Sequence, residues 1–217
     1  MTDFAAARRH MIDGQLRTNR VTAPGLLDAM AAIPREEFVP PAERGIAYLD
    51  EDLRVGGGRC LIEPLVLARL IQAAAPQPQD TVLDIGMATG YSSAVLSRLA
   101  GQVIALDDDA ALAEQARASL AKQGCGNVTV IAGPMAEGYI RRAPYGVILI
   151  NGAVDEIPPA LQAQLGEGGR LAAVLGTGPV GRATLFTKRH GIVAHRILFD
   201  ATTPALKSFV KEPGFVF

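Results

Sequence analysis

The stretch Thr81-Val-Leu-Asp-Ile-Gly-Met-Ala-Thr-Gly-Tyr91 constrains the fold of this chain more than any other. Val82, Leu83 and Ile85 are the β-branched and apolar residues of a strand covered on both faces. Gly86 and Gly90 then permit a sharp turn that a bound group can approach closely. From Tyr91 the apolar spacing becomes helical, with Val95 and Leu99 on one face, and the reading is a helix over 91–100. A helix starting there aims free backbone N–H groups into the crevice beyond the strand end. Next, Gln102-Val-Ile-Ala-Leu106 reads as a second strand closed by Asp107, about 20 residues past the first glycine, where an acid binds ribose hydroxyls.

The spacing narrows the ligand. A dinucleotide fingerprint needs glycine at 86, 88 and 91, and Ala88 and Tyr91 stand at the last two. The turn of S-adenosylmethionine (SAM) enzymes, an acid at the strand end followed by Gly-x-Gly-x-Gly, is matched by Asp84, Gly86 and Gly90, with Ala88 the one departure. Candidate cofactor residues are therefore Asp84, Gly86, Met87, Ala88, Gly90, Asp107 and Asp108. Asp109 and part of Asp108 are assigned to the start of the following helix, whose dipole favours acids. Asp84 is placed near the methionyl ammonium in preference to a purely structural role.

Around this centre the elements alternate. The expected helices are 3–16, 24–33 (capped by Thr22), 64–74, 110–123 and 158–165, with 35–41 an extended link between prolines. Further strands are expected at 128–132, 146–150 and 170–175, then a hairpin of 183–189 and 192–199 turning at His190-Gly191. Repeated βα units followed by a hairpin describe an α/β, doubly wound, Rossmann-like sheet with an antiparallel edge. The glycine run 56–58 reads as a loop wrapping a ligand or another segment. On this reading residues 1–63 form a helical N-terminal extension with a substrate loop. Residues 64–217 form the α/β domain, and the whole is one compact unit. Phe209, Phe215 and Phe217 are expected to pack onto the body, because three free rings in water are costly.

Composition excludes much. A formal charge of −1, mixed along the chain, gives no basic face for nucleic acid or an anionic membrane. No apolar run approaches the roughly 18 residues of a span, and Met1–His10 lacks a signal peptide's apolar region. Cys60 and Cys125 have no metal or disulfide spacing, and His10, His190 and His195 do not cluster. A reduced, cytoplasmic, metal-free protein is the expectation, and no feature sets an oligomeric state.

Several motifs together resemble the protein-L-isoaspartyl (D-aspartyl) O-methyltransferases along nearly the whole chain. Met11-Ile-Asp-Gly-Gln-Leu-Arg17 and Ile33-Pro-Arg-Glu-Glu-Phe-Val-Pro40 are similar to that family's N-terminal helices. The glycine turn, Asn127-Val-Thr-Val130 with Glu137-Gly138, Ala153 through Pro158 with Leu161, and Leu165-Gly-Glu-Gly-Gly-Arg-Leu171 follow in family order. The resemblance implies a seven-stranded SAM-methyltransferase sheet. It also implies SAM as donor with S-adenosylhomocysteine as product, and an isoaspartyl residue of a damaged protein or peptide as acceptor. It adds Gly133, Pro134 and Met135 to the cofactor candidates. Where the family's loop reads Gly-His-Gly-Gln-Thr-Ile-Ser-Gln-Pro, this chain has Gly56-Gly-Gly-Arg-Cys-Leu-Ile-Glu-Pro64, so Cys60 replaces the Thr and Ile62 the Ser. Candidates for the substrate loop are Gly58, Arg59, Cys60, Leu61 and Ile62, with no catalytic residue assigned. Arg59 reads as a solvated loop charge, or else as a guanidinium holding the acceptor carboxylate. Glu63 reads as a helix cap. Pro134 replaces an acid that accepts from adenine, and Gly146 an aspartate. These departures keep two alternatives open: a same-fold methyltransferase with another acceptor, and a non-catalytic SAM-binding homologue.

Overall fold

A computed structural model of the chain describes residues 3–209. Its centre is a seven-stranded sheet in the order β5-β4-β3-β6-β7-β8-β9. The strands are β3 (Thr81–Ile85), β4 (Gln102–Asp107), β5 (Val128–Ala132), β6 (Tyr145–Val154), β7 (Leu165–Leu175), β8 (Gly181–Arg189) and β9 (Ile192–Ala201). The first five run parallel, and β8 and β9 add the antiparallel edge. Alternation along the strands explains why both faces are covered. Val82, Val103, Ala105, Val147 and Leu149 enter one core, while Leu83, Ile85, Ile104, Leu106, Ile148 and Ile150 enter the other.

The first face carries α2 (Pro24–Ala32), α3 (Pro64–Ala74), α4 (Tyr91–Ser97) and α5 (Ala110–Lys122). The N-terminal segment shares that core through Met11, Leu16 and Phe38. The second face carries α6 (Pro159–Ala163), Met135, and the tail residues Leu206 and Phe209. Phe209 packs as expected; Phe215 and Phe217 lie outside the described residues. Among the described residues no helix is long and apolar enough to cross a membrane, and no group of acids, histidines and cysteines could hold a metal.

The structure corrects several local expectations. The first helix is α1 (Phe4–His10), capped by Asp3, and it widens into a π turn over Met11–Leu16. Thr22 does not cap α2. The N-cap residue is Ala23, without a side-chain cap bond, and the side-chain oxygen of Gln72 on α3 accepts from the backbone N–H groups of Thr22 and Ala23, which pins the chain just ahead of the helix. The segment after Pro34 is a 3-10 turn, Arg35–Phe38, not an extended link. The strand expected at 146–150 runs on through Asn151 and Gly152 to Val154, and β7 begins at Leu165 instead of 170.

Gly146 has a packing reason. A Cβ there would lie 2.2 Å from Asp80 Oδ1. Asp80 accepts from Arg170 at 2.9 Å, and Arg170 also donates to the carbonyls of Ala74 and Ala75 at the C-terminus of α3. The space of an aspartate at 146 is given to this clamp.

Candidate cofactor and substrate site

The crevice lies beyond the C-terminal ends of β3, β4 and β6. There the chain reverses its direction of winding, since β4 and β5 extend one way from β3 and β6 begins the other side. The turn after β3 is built as expected. Gly86 and Ala88 adopt left-handed φ angles of 69° and 52°, Gly90 one of 97°, and α4 starts at Tyr91.

Asp84 is fully buried at the end of β3. Its carboxylate accepts from the hydroxyls of Ser92 and Ser93 and from the Asn151 amide. Burial outweighs these bonds and raises its pKa to about 6. Its partners come from α4 and β6, so Asp84 ties the turn to the sheet from below.

Asp107 is also fully buried, and its carboxylate accepts from the N–H of Ala88 and of Asp109, each at 3.1 Å. It therefore fixes the glycine turn and the next helix entry at once. Asp109 caps α5 by accepting from Ala111 and Leu112, as the sequence indicated. Asp108 does something else: it pairs with Arg59 and accepts from Ser208.

The glycine run is not a free loop. Leu53–Gly56 (β1) and Arg59–Leu61 (β2) form a small antiparallel hairpin. Arg59 is 6% exposed, with its Nε 3.3 Å from Asp107 Oδ1 and its Nη2 on Asp108. It is neither a solvated charge nor a group held out to an acceptor. Guanidinium and acids were drawn together because a buried Asp107 without a counter-charge would be costly.

Cys60 is partly buried, and burial together with Asp52 pushes its thiol pKa up, which makes it a poor nucleophile. Ile62 is 3% exposed and belongs to the core under the extension, while its carbonyl accepts from Arg35 at 2.9 Å. Glu63 occupies the N-cap position of α3 without a side-chain cap bond. The capping acids are Asp52, which accepts from Glu63 N–H, and Asp50, which accepts from Leu65 N–H. Burial and these two neighbouring carboxylates raise Glu63 to about 7.

A group whose folded pKa lies above its unfolded one adds stability at acid pH and loses it as pH rises through the folded value. Glu63→Gln is therefore expected to raise the melting temperature at pH 8 and to leave it nearly unchanged at pH 3.5, below the unfolded value. Thermal melts at the two values check this.

Of the cofactor candidates, Gly86, Met87, Ala88 and Gly90 form the turn and Asp107 sits against it. Gly133 donates its N–H to the Asp107 carbonyl at 2.9 Å, so it closes the same corner. Pro134 is exposed, and Met135 is wholly buried in the second core. Two contributors were missed by sequence. Leu206 lies over the turn: a Cβ at Gly86 would be 3.1 Å, and one at Gly152 2.7 Å, from its side chain. Asn151 donates to both Asp84 and the Ile85 carbonyl. The apolar tail signalled the first; nothing marked the second.

A void of about 10 Å3, room for one water, remains between the turn and the hairpin. Arg35, Tyr91 and Asn151 line it, and each has a buried polar atom without a protein partner: Nη1, the phenol and Oδ1. These donors and acceptor, together with Asp107 held against Ala88 of the same turn, suit a ligand with an amino-acid head and a ribose. The donor set thus fits SAM, while Arg59 sits on the Asp107 carboxylate and Leu206 lies over Gly86.

The model of the protein-L-isoaspartate(D-aspartate) O-methyltransferase family matches residues 6–201. The chain belongs to this family. A protein-L-isoaspartate O-methyltransferase of Koribacter versatilis is 43% identical over 177 residues, covering 82% of this chain and 80% of the relative. One of Methylorubrum extorquens is 43% identical over 183 residues, with 84% and 79% covered. A solved protein-L-isoaspartate O-methyltransferase structure superposes with a TM-score of 0.80 at 25% identity, covering 92% of this chain and 65% of that one. The family is one of SAM-dependent O-methyltransferases, and the seven-stranded sheet with its antiparallel edge is the fold expected of a member.

Proposed function

We propose that this chain is a SAM-dependent carboxyl methyltransferase that acts on L-isoaspartyl residues of damaged proteins and peptides in the cytoplasm. The observation that carries the reading is Asp107 at the end of β4, held against the Ala88 N–H of the glycine turn. This is the acid, turn and helix start that take a ribose and the polar groups beside it. When bound, the cofactor supplies an electrophilic sulfonium methyl. The chain's task is placement. An acceptor carboxylate is ionised at neutral pH and needs no general base, so the absence of a base constellation is consistent with the chemistry. In-line positioning is worth up to roughly 7–11 kcal/mol. Asp107 would hold the ribose, the turn Gly86–Gly90 the backbone contacts, and Arg35, Tyr91 and Asn151 the amino-acid end.

A second reading is favoured by the buried Ile62 and the weakly donating Cys60, which leave the substrate loop without hydroxyl donors. On that reading the fold and cofactor are the same and the acceptor is less charged.

The test is methyl transfer from labelled SAM to an isoaspartyl peptide and to its aspartyl twin. Base-labile ester on the isoaspartyl peptide alone is expected. Transfer to a different acceptor with none to isoaspartate selects the second reading, and no transfer to any acceptor by protein that binds the product rejects both.

A further inference from the structure

We infer that Arg59 is an internal competitor of the cofactor: its guanidinium holds the acids of the ribose subsite, so SAM binds only when the β1–β2 hairpin lifts. The inference rests on the cofactor reading above and adds a residue that sets its affinity.

Three observations converge on it. First, Arg59 opens β2 directly after Gly57 and Gly58, both with left-handed φ, yet it is 6% exposed and bridges Asp107 and Asp108 across 48 residues of chain. A long cation leaves water only for a strong partner. Second, the tail reinforces the contact from the other side. Ser208 donates to Asp108, and Leu206 is pinned by backbone bonds of Ala153 with Pro204 and Leu206 at 2.9 Å. Third, the hairpin sits close on the glycine turn: the void between Gly86 and Met87 on one side and Cys60 and Leu61 on the other is about 10 Å3, against the ~300–1,000 Å3 of pockets that hold small ligands. A cavity of about 490 Å3 that Arg59 also lines, with Gly58, Cys60 and Pro204, includes no residue of the glycine turn and neither acid, so a ligand that reaches the Asp107 carboxylate from it meets the Arg59 guanidinium seated there.

The exchange has a consequence for affinity. When only the lifted form binds, the apparent dissociation constant is the intrinsic one divided by the lifted fraction. Any change that weakens the Arg59 contact therefore tightens binding, provided the subsite itself is intact. Asp108 separates this from a simple contact role. As half of the latch its loss tightens binding, and as a direct cofactor contact its loss weakens it.

Calorimetric titration of S-adenosylhomocysteine into the wild-type protein, Arg59→Ala, Arg59→Lys and Asp108→Ala tests this, with thermal melts to establish that each is folded. Expected are at least tenfold tighter binding by Arg59→Ala, a smaller gain by Asp108→Ala, and near wild-type affinity for Arg59→Lys, which keeps the charge. Binding by Arg59→Ala no tighter than wild type, or weaker binding by Asp108→Ala, overturns the latch while leaving the cofactor reading intact. No binding by any folded variant overturns the cofactor reading and the latch with it. If Arg59→Ala does not fold, Asp108→Ala decides alone, since it alters a partly exposed side chain.

Discussion

Asp107→Ala is expected to lose S-adenosylhomocysteine binding by about two orders of magnitude. The loss of two hydrogen bonds to a charged acceptor, each worth roughly 1.5–3 kcal/mol, sets that scale. The same substitution frees Arg59, which on the latch proposal works the other way, but a crevice without the acid proposed to hold the ribose has little to offer. Stability should fall as well. Asp107 accepts from Ala88 and Asp109, and the alanine variant leaves both amides without that partner and Arg59 buried with Asp108 alone. A cost of about 2 kcal/mol is expected, seen as a melting temperature lower by roughly 5 °C. Titration calorimetry and a thermal melt on one preparation measure both. Unchanged affinity with the lowered melting temperature would mean that Asp107 is only a structural clasp.

Arg35→Ala should be the most damaging single change for stability. Arg35 is completely buried, donates to the carbonyls of Ala47 and Ile62 at 2.9 Å, and lies 4.8 Å over the Tyr91 ring. Its backbone N–H also donates to the Tyr48 hydroxyl, which in turn donates to Glu36. One side chain thus joins the extension, the end of β2 and the first residue of α4. Truncation leaves two buried carbonyls without that donor, removes a cation–π contact and opens a cavity. Together these cost about 3–5 kcal/mol, or roughly 10 °C or more in melting temperature. Arg35→Lys should recover part of it, because an ammonium cannot span both carbonyls in the plane that the guanidinium uses. A melting temperature within 3 °C of wild type for Arg35→Ala would show that the extension is docked mainly by Met11, Leu16 and Phe38.

Much of the centre was legible because its signals are local. The apolar run at 81–85, the glycines after it and Asp107 at the next strand end are each marked by neighbours within a few residues, and each stands where the spacing put it. The edges of elements were less legible. Gln72 pins Thr22 and Ala23 just ahead of α2 where Thr22 was expected to cap, and that depends on a helix 50 residues away. Strand β6 continues through Asn151 and Gly152 because the tail runs beside it, with Ala205 paired to Ala153.

The substrate loop was the least legible part. From the loop alone, Arg59 among glycines looks solvated. Its partners are two of three consecutive acids, Asp107 and Asp108, while the third, Asp109, caps a helix. A surplus of acid at a strand end beside a buried crevice was the available clue, together with an apolar tail that needed a surface to cover. The departures at Ile62 and Gly146 have packing reasons: one fills the core beneath the extension, and the other leaves space for the clamp of Asp80 and Arg170.

The most direct measurement is a crystal structure grown with millimolar S-adenosylhomocysteine. Density bridging Gly86 and Asp107, with ribose oxygens on that carboxylate and the guanidinium of Arg59 swung away, is the predicted result. Arg59 still seated on Asp107 at full ligand concentration, with no density in the crevice, would contradict it.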